Sequence, residues 1–247
     1  MLAAVDLGIL KPGDEVLMPA VTWPTQAWAV ILAGLTPRFV DIDLLTLQID
    51  ARKLSEAITP KTKAIFVAHL MGNPCDMDVI LDFAVTHNLI LFEDCCESLG
   101  AAVGGRKAGT FGVASAFSFF HSHHISTMEG GMISTSDSEF ADVCRMIRAH
   151  GWSSLDRSVF VGPGLNFRPT EISGAFGCVQ LPKLDAMNEA RNRNFNELML
   201  HTNDFGSFTR ILAHHKSSPA WFSFPVVLKE PNRDDFRDRL KDRGVES

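Results

Sequence analysis

Short, unbroken apolar runs alternate with amphipathic stretches along most of this chain. Ala64-Ile65-Phe66-Val67-Ala68 and Leu89-Ile90-Leu91-Phe92 lack period-two alternation, the pattern of parallel strands covered on both faces. Strands are predicted over residues 15–18, 37–43, 64–69, 89–93, 114–120 and 132–135, and helices over 25–33, 51–58, 78–86, 138–150 and 170–181. Gly13-Asp14, Gly72-Asn73-Pro74 and Gly104-Gly105 punctuate these elements as turns. Strands alternating with helices define an α/β layered fold.

Near Leu184 the pattern changes. Residues 184–201 read as a long helix rich in Asn, Arg and Glu, 222–228 as a strand and 232–243 as a charged helix. The expected organisation is a large domain over 1–183, then a linker helix and partial small C-terminal domain over 184–247.

Composition narrows the class. With 247 residues, 46% of them hydrophobic, the chain can bury a substantial core. A net charge of −6 and the absence of any Lys/Arg block argue against a nucleic-acid surface. The opening Met1-Leu2-Ala3-Ala4-Val5-Asp6 has no basic flank and is broken by Asp6, so it is neither a signal peptide nor a membrane span. Cys75, Cys95, Cys96, Cys144 and Cys178 are odd in number and lack disulfide spacing. They read as free thiols in a reducing cytoplasm.

Three stretches carry candidate chemistry. Asp94 ends the apolar run Leu89-Ile90-Leu91-Phe92-Glu93, and the carboxyl ends of strands are where open α/β sheets bind ligands. An isolated Asp there is equally at home as a helix cap. The segment from Phe117 to Gly131 holds His121, His123 and His124 between two strands. By residue type alone these imidazoles suit acid–base work, a metal site or an ordinary polar loop. Thr170 with Glu171 reads as a helix start. Capping leaves the preceding Asn166 and Arg168 unexplained.

Taken in order, these stretches resemble the DegT/DnrJ/EryC1/StrS sugar aminotransferase family. The resemblance runs through Pro12-Gly13-Asp14-Glu15, Val40-Asp41-Ile42-Asp43, Gly72-Asn73-Pro74-Cys75-Asp76 and Glu93-Asp94-Cys95-Cys96-Glu97. It continues through Ser118-Phe119, Glu129-Gly130-Gly131 and Arg148-Ala149-His150-Gly151-Trp152 to the stretch from Gly164 to Glu171. It implies a fold-type I pyridoxal-phosphate enzyme, with a mostly parallel sheet between helices. By the same resemblance, Asp94 pairs with the pyridinium nitrogen, Glu97 contacts the phenolic oxygen and Trp23 stacks on the cofactor ring. Ser118 binds the phosphate, and Asn166 reaches it from a neighbouring subunit of a homodimer.

Two departures refine this reading. Where the aminotransferases carry their cofactor-linked lysine, five positions after Ser118, this chain has His123, and no lysine lies between Lys107 and Lys183. Imidazole has no primary amine and cannot form that link. The pattern resembles the family's sugar 3-dehydratase branch, in which histidine acts as base beside non-covalent pyridoxamine 5′-phosphate. Met128 stands where that branch usually has Gly. The expected function is a nucleotide-4-keto-6-deoxyhexose 3-dehydratase of polysaccharide or deoxysugar biosynthesis. Its substrate is a nucleotide-linked keto-sugar, and an amino donor such as glutamate restores pyridoxamine phosphate from pyridoxal 5′-phosphate. The alternatives are a sugar aminotransferase, a non-catalytic fragment of the family and, more distantly, a metal hydrolase; a resident metal and an iron–sulfur cluster are not expected. The second departure is length: relative to the family the chain looks truncated at both ends.

Overall fold

The apolar runs form strands because each can be covered from two sides, and the helices between them supply both covers. The computed structural model describes residues 1–153, 158–202, 208–230 and 232–245. A short helix α1 (Leu2–Asp6) precedes β1 (Glu15–Pro19), α2 (Pro24–Leu32) and β2 (Thr36–Val40). A 3-10 turn at Ala51–Lys53 leads into α3 (Leu54–Ala57), followed by β3 (Thr62–Ala68), α4 (Met77–Thr86) and β4 (Ile90–Asp94). The hairpin of β5 (Ala102–Val103) and β6 (Arg106–Lys107) separates β4 from β7 (Ala114–Ser118) and β8 (Gly131–Ser134). Helices α5 (Ser138–Arg148), α6 (Glu171–Gln180) and α7 (Leu184–His201) come next. Three two-residue strands follow, β9 (Phe208–Thr209), β10 (Ser217–Ser218) and β11 (Val227–Leu228), and then α8 (Arg233–Lys241).

The main sheet has the order β2-β1-β3-β4-β7-β8. Its pairs are parallel except β7 with β8, which is antiparallel. Successive residues of one strand feed two cores. Val16, Met18, Ala64, Phe66 and Phe92 pack with Val30 of α2 and Phe140 of α5. Leu17, Ile65, Val67 and Leu91 pack on the other face with Leu54 of α3 and Ile80 of α4. Burial of both faces removes the polar alternation of a half-exposed sheet.

Local sequence fixes the helix starts. The Asp137 carboxylate accepts from Phe140 N at 3.0 Å to cap α5, and Thr170 Oγ1 accepts from Ser173 N at 3.2 Å to cap α6. The strand expected over 222–228 is reduced to the two residues of β11. Phe222 N instead donates to Met71 O at 2.9 Å, and Ala220 N to Gly72 O at 3.0 Å. An apolar run marks burial, but here its backbone partners are some 150 positions away. Ala220 accordingly packs with Cys95, Ala101 and Ala108 of the large sheet region.

Candidate active site

The strand register brings the chemistry to one edge. Asp94 pairs with Ala68 of β3 on one side and Ala116 of β7 on the other. His69 and Ser118 therefore flank it just past, and at, the carboxyl ends of their strands. His69 N donates to Asp94 O at 3.0 Å, and Cys96 N donates to Asp94 Oδ1 at 3.0 Å. Asp94 has no Lys or Arg ion-pair partner among the described residues. It is a carboxylate held by backbone and left without a cation.

Beneath it lies Glu93, fully buried. One carboxylate oxygen accepts from Phe111 N and Gly112 N, both at 2.7 Å. The other accepts from Gly109 N at 2.7 Å and lies 3.1 Å from His69 Nε2. His69 Nδ1 accepts from Cys75 N at 3.1 Å, so its proton sits on Nε2 and points at Glu93. Burial opposes the charge on Glu93, but the His69 bond and the backbone donors outweigh it and hold the carboxyl below its usual range. His69, Glu93 and Cys95 also bring potential metal-ligand atoms within 4.8 Å of one another. Their existing hydrogen bonds occupy both Glu93 oxygens and His69 Nδ1. The cluster is a structural anchor.

The loop after β7 separates the three histidines. His124 is fully buried, and its Nε2 donates to Ala220 O at 2.8 Å. Burial first, then Arg191 and His123, push it down to about 4 against the pull of the Ala220 carbonyl. His123 keeps its Nδ1 buried with no hydrogen-bond partner. Its ring packs against Phe222 at 5.2 Å and Phe120 at 5.8 Å between centroids. Burial lowers its pKa; Arg191 and His121 act the same way and Asp94 opposes them. A base that is neutral near pH 7 results. His121 is exposed and packs on Phe120.

The remaining candidates are distributed unevenly. Glu97 accepts from Met71 N at 2.6 Å, and burial, aided by the Asp94 charge, raises its carboxyl above the usual range. The Ser118 hydroxyl accepts from Phe120 N at 3.2 Å. Trp23 precedes α2 and is 69% exposed, so it is not a core tryptophan. Asn166 stands on the exposed segment before α6, its backbone bridging Ala149. Sequence reasoning missed His69, the anchoring of Glu93, Arg191 and Phe222. The burial of Glu93 was discoverable, because it sits inside an apolar run that reads as a strand covered on both faces.

An unpaired carboxylate and a serine at adjacent strand ends, with a neutral imidazole in the loop that follows, make a candidate ligand site at the sheet's carboxyl edge. These groups fit a pyridine-type cofactor with a protonated ring nitrogen. The chain belongs to the DegT/DnrJ/EryC1/StrS aminotransferase family, whose profile matches residues 1–247. Among its relatives, it is 42% identical over 260 residues to GDP-4-keto-6-deoxy-D-mannose 3-dehydratase of Yersinia pseudotuberculosis, covering 96% of this chain and 65% of that protein. It is 45% identical over 192 residues to GDP-perosamine synthase of Caulobacter vibrioides, covering 78% of this chain and 52% of that protein. The E. coli GDP-4-keto-6-deoxy-D-mannose-3-dehydratase structure with bound hydrated PLP superposes with a TM-score of 0.89 at 39% identity, covering 96% of this chain and 66% of that one. The chain thus spans just under two thirds of the dehydratases it matches, and its architecture is that of fold-type I pyridoxal-phosphate enzymes. No helix among the described residues is long and apolar enough to cross a membrane.

Replacing Glu93 tests the anchor. Glu93→Gln keeps the shape but sets an amide N–H₂ against N–H donors, and is expected to cost about 3 kcal/mol at pH 7 by chemical denaturation. Because the folded-state pKa is depressed, the carboxylate's contribution is complete above the unfolded value of about 4.3 and disappears as pH falls through the folded value. Wild-type stability should therefore fall in acid below about pH 4 more steeply than that of Glu93→Gln. Equal stability at pH 7 and parallel acid curves would contradict the assignment.

Proposed function

We propose that this chain is the cofactor-binding part of a nucleotide-4-keto-6-deoxyhexose 3-dehydratase, acting in the cytoplasm in polysaccharide or deoxysugar biosynthesis. The observation that carries this reading is His123: a desolvated imidazole five residues after Ser118, in a stretch without lysine between Lys107 and Lys183. The relatives named above support it, and the large domain over 1–183 is taken as the catalytic unit.

Asp94 would hold the ring nitrogen of pyridoxal or pyridoxamine 5′-phosphate, Ser118 its phosphate, Glu97 its phenolic oxygen and Trp23 one ring face. Asn166 would reach the phosphate from a second copy. Bound pyridoxamine phosphate would supply a primary amine for the C4 ketone and an aromatic electron sink. Asp94, a carboxylate without a cation partner among the described residues, would favour the protonated form of that ring nitrogen. His123 would stand as the base that accepts a proton when a C3 hydroxyl is lost from the bound sugar. Its depressed pKa keeps the imidazole free to accept that proton at neutral pH. An amino donor such as glutamate would complete the cycle.

The similarity to a perosamine synthase raises the aminotransferase as a second reading. The two readings part at His123, since transamination through a covalently held cofactor needs an amine there.

A second copy of the chain is the expected cover for α6. That helix buries none of its residues, and Phe167, Ile172 and Val179 are 61–70% exposed. Asn166 lies on the same segment.

Two experiments follow. The full-length enzyme, given pyridoxamine phosphate, a GDP-linked 4-keto-6-deoxyhexose and glutamate, is expected to yield a 3-deoxy-4-keto sugar by NMR. His123→Asn and Asp94→Asn should each lower turnover by about 10²-fold or more while circular dichroism stays native. Wild-type turnover in either variant removes that residue from the reaction. Analytical ultracentrifugation is expected to give a dimer with an interface of roughly 2,000 Å² or more, shifted toward monomer by Phe167→Glu with Ile172→Glu. A wild-type monomer that binds the cofactor at full affinity contradicts the shared site.

A further inference from the structure

Residues 219–223 form a strap beside the loop that carries His123, and six of its nine backbone polar groups are hydrogen-bonded. Ala220 N and Phe222 N donate to Gly72 O and Met71 O. On the α7 side, Asn192 donates to Pro219 O at 2.8 Å and accepts from Trp221 N at 3.1 Å. Arg191 donates to Phe222 O at 2.8 Å. Trp221 stacks on Phe195 with centroids 3.7 Å apart and planes 3° from parallel. The strap lies so close to Gly72 that a Cβ there would sit 1.8 Å from Ala220 O, and Gly72 has φ +80°.

From the site side, one side chain reaches the strap's backbone: His124, through Ala220 O. The bond requires the proton on Nε2, and burial keeps the ring neutral. Both His123 and His124 keep a partnerless Nδ1, but His124 is fully buried whereas His123 is only partly so. That difference favours His123 as the imidazole open to a ligand. It also gives the other one a task.

His123 lacks the usual orienting device of a catalytic histidine, a carboxylate or carbonyl accepting from the second ring nitrogen. What holds its ring is packing against Phe120 and against Phe222 of the strap. We propose that His124 is a positioning residue: by clamping Ala220 O it seats the Phe222 ring against His123, fixing the orientation of that imidazole and keeping water from it. The charged and titratable groups that act on His123 are Asp94 from β4, Arg191 from α7, and His121 and His124 from its own loop. Arg191 also has its guanidinium 5.8 Å from the Phe222 ring centre. Strap, base and cation therefore pack as one group.

The activity arm of the test rests on His123 being the base of the proposed reaction; the spectroscopic arm does not. Full-length protein with ¹³C-labelled histidine rings is titrated by NMR without cofactor, and the acid limb of kcat/KM is measured with it. In wild type, His123 is expected to titrate below the ordinary value of about 6.5. His124→Gln, whose amide can reach Ala220 O, should leave that titration within about 0.2 units. His124→Leu, of similar bulk and without a donor, should raise it by half a unit or more as water enters. The acid limb should move up equally, because the reaction needs the neutral ring, and kcat should fall about tenfold with KM changed less than twofold. Phe222→Ala keeps the clamp and removes the ring; it should reproduce the upward shift and stands in if His124→Leu does not fold. The proposal fails if His124→Gln behaves as His124→Leu, or if Phe222→Ala leaves the His123 titration where it was. A shifted titration in a protein without His123-dependent turnover upholds the clamp and overturns the dehydratase reading instead.

Discussion

A buried carboxylate at the carboxyl end of β4 holds the site together. Glu93 gathers three backbone N–H groups from residues 109–112 and the His69 ring onto two oxygens. An ionised group in a dry core is tolerated only when it is hydrogen-bonded this fully. That requirement fixes the loop that leads into β7, the turn that leaves β3 and the end of the strand between them. Asp94, the next residue, lies on the opposite face from Glu93 and, as the last residue of β4, sits at the sheet's carboxyl edge. The same geometry sets Ser118 and the histidine loop beside it, since β7 pairs with β4 in register up to Asp94 and Ala116.

Two kinds of control then meet at His123. The large sheet places it, through β7 and the loop that follows. The 219–223 strap, arriving from beyond α7, packs Phe222 on the ring and brings Arg191 near. Burial and cationic charge lower the imidazole's affinity for protons, and Asp94 pulls the other way. A base is most effective when it is free to accept at working pH yet still basic enough to take the proton. The balance is struck by elements distant in sequence, so the C-terminal portion shapes the surroundings of His123 although the motif residues lie before it.

Much of this was legible in the sequence where periodicity and motif order carry it. The doubly covered strands announce themselves as apolar runs, Asp94 as the residue ending one, and Thr170 as a cap. His123 stood out by the absence of lysine. The strap did not: the apolar run from Phe222 reads as a strand, but its partners are Met71 and Gly72, and local pattern contains no information about pairing across 150 residues. Family resemblance singled out His123 by its place five residues after Ser118, but residue type alone cannot separate it from the adjacent His124. Burial and a hydrogen bond to Ala220 O make one a clamp and leave the other the candidate base. Trp23 was placed on the cofactor ring by family resemblance, and residue type alone would not have distinguished it from a core tryptophan.

The central claim is that an imidazole works where related enzymes use an amine. The most direct measurement is borohydride reduction of the full-length protein after incubation with pyridoxal phosphate, followed by peptide mass spectrometry. The account predicts that wild type releases all its cofactor on dialysis and carries no stoichiometric reduced adduct, whereas His123→Lys gains one at position 123. A stoichiometric lysine adduct in wild type, in a protein that transaminates keto-sugars, would contradict it.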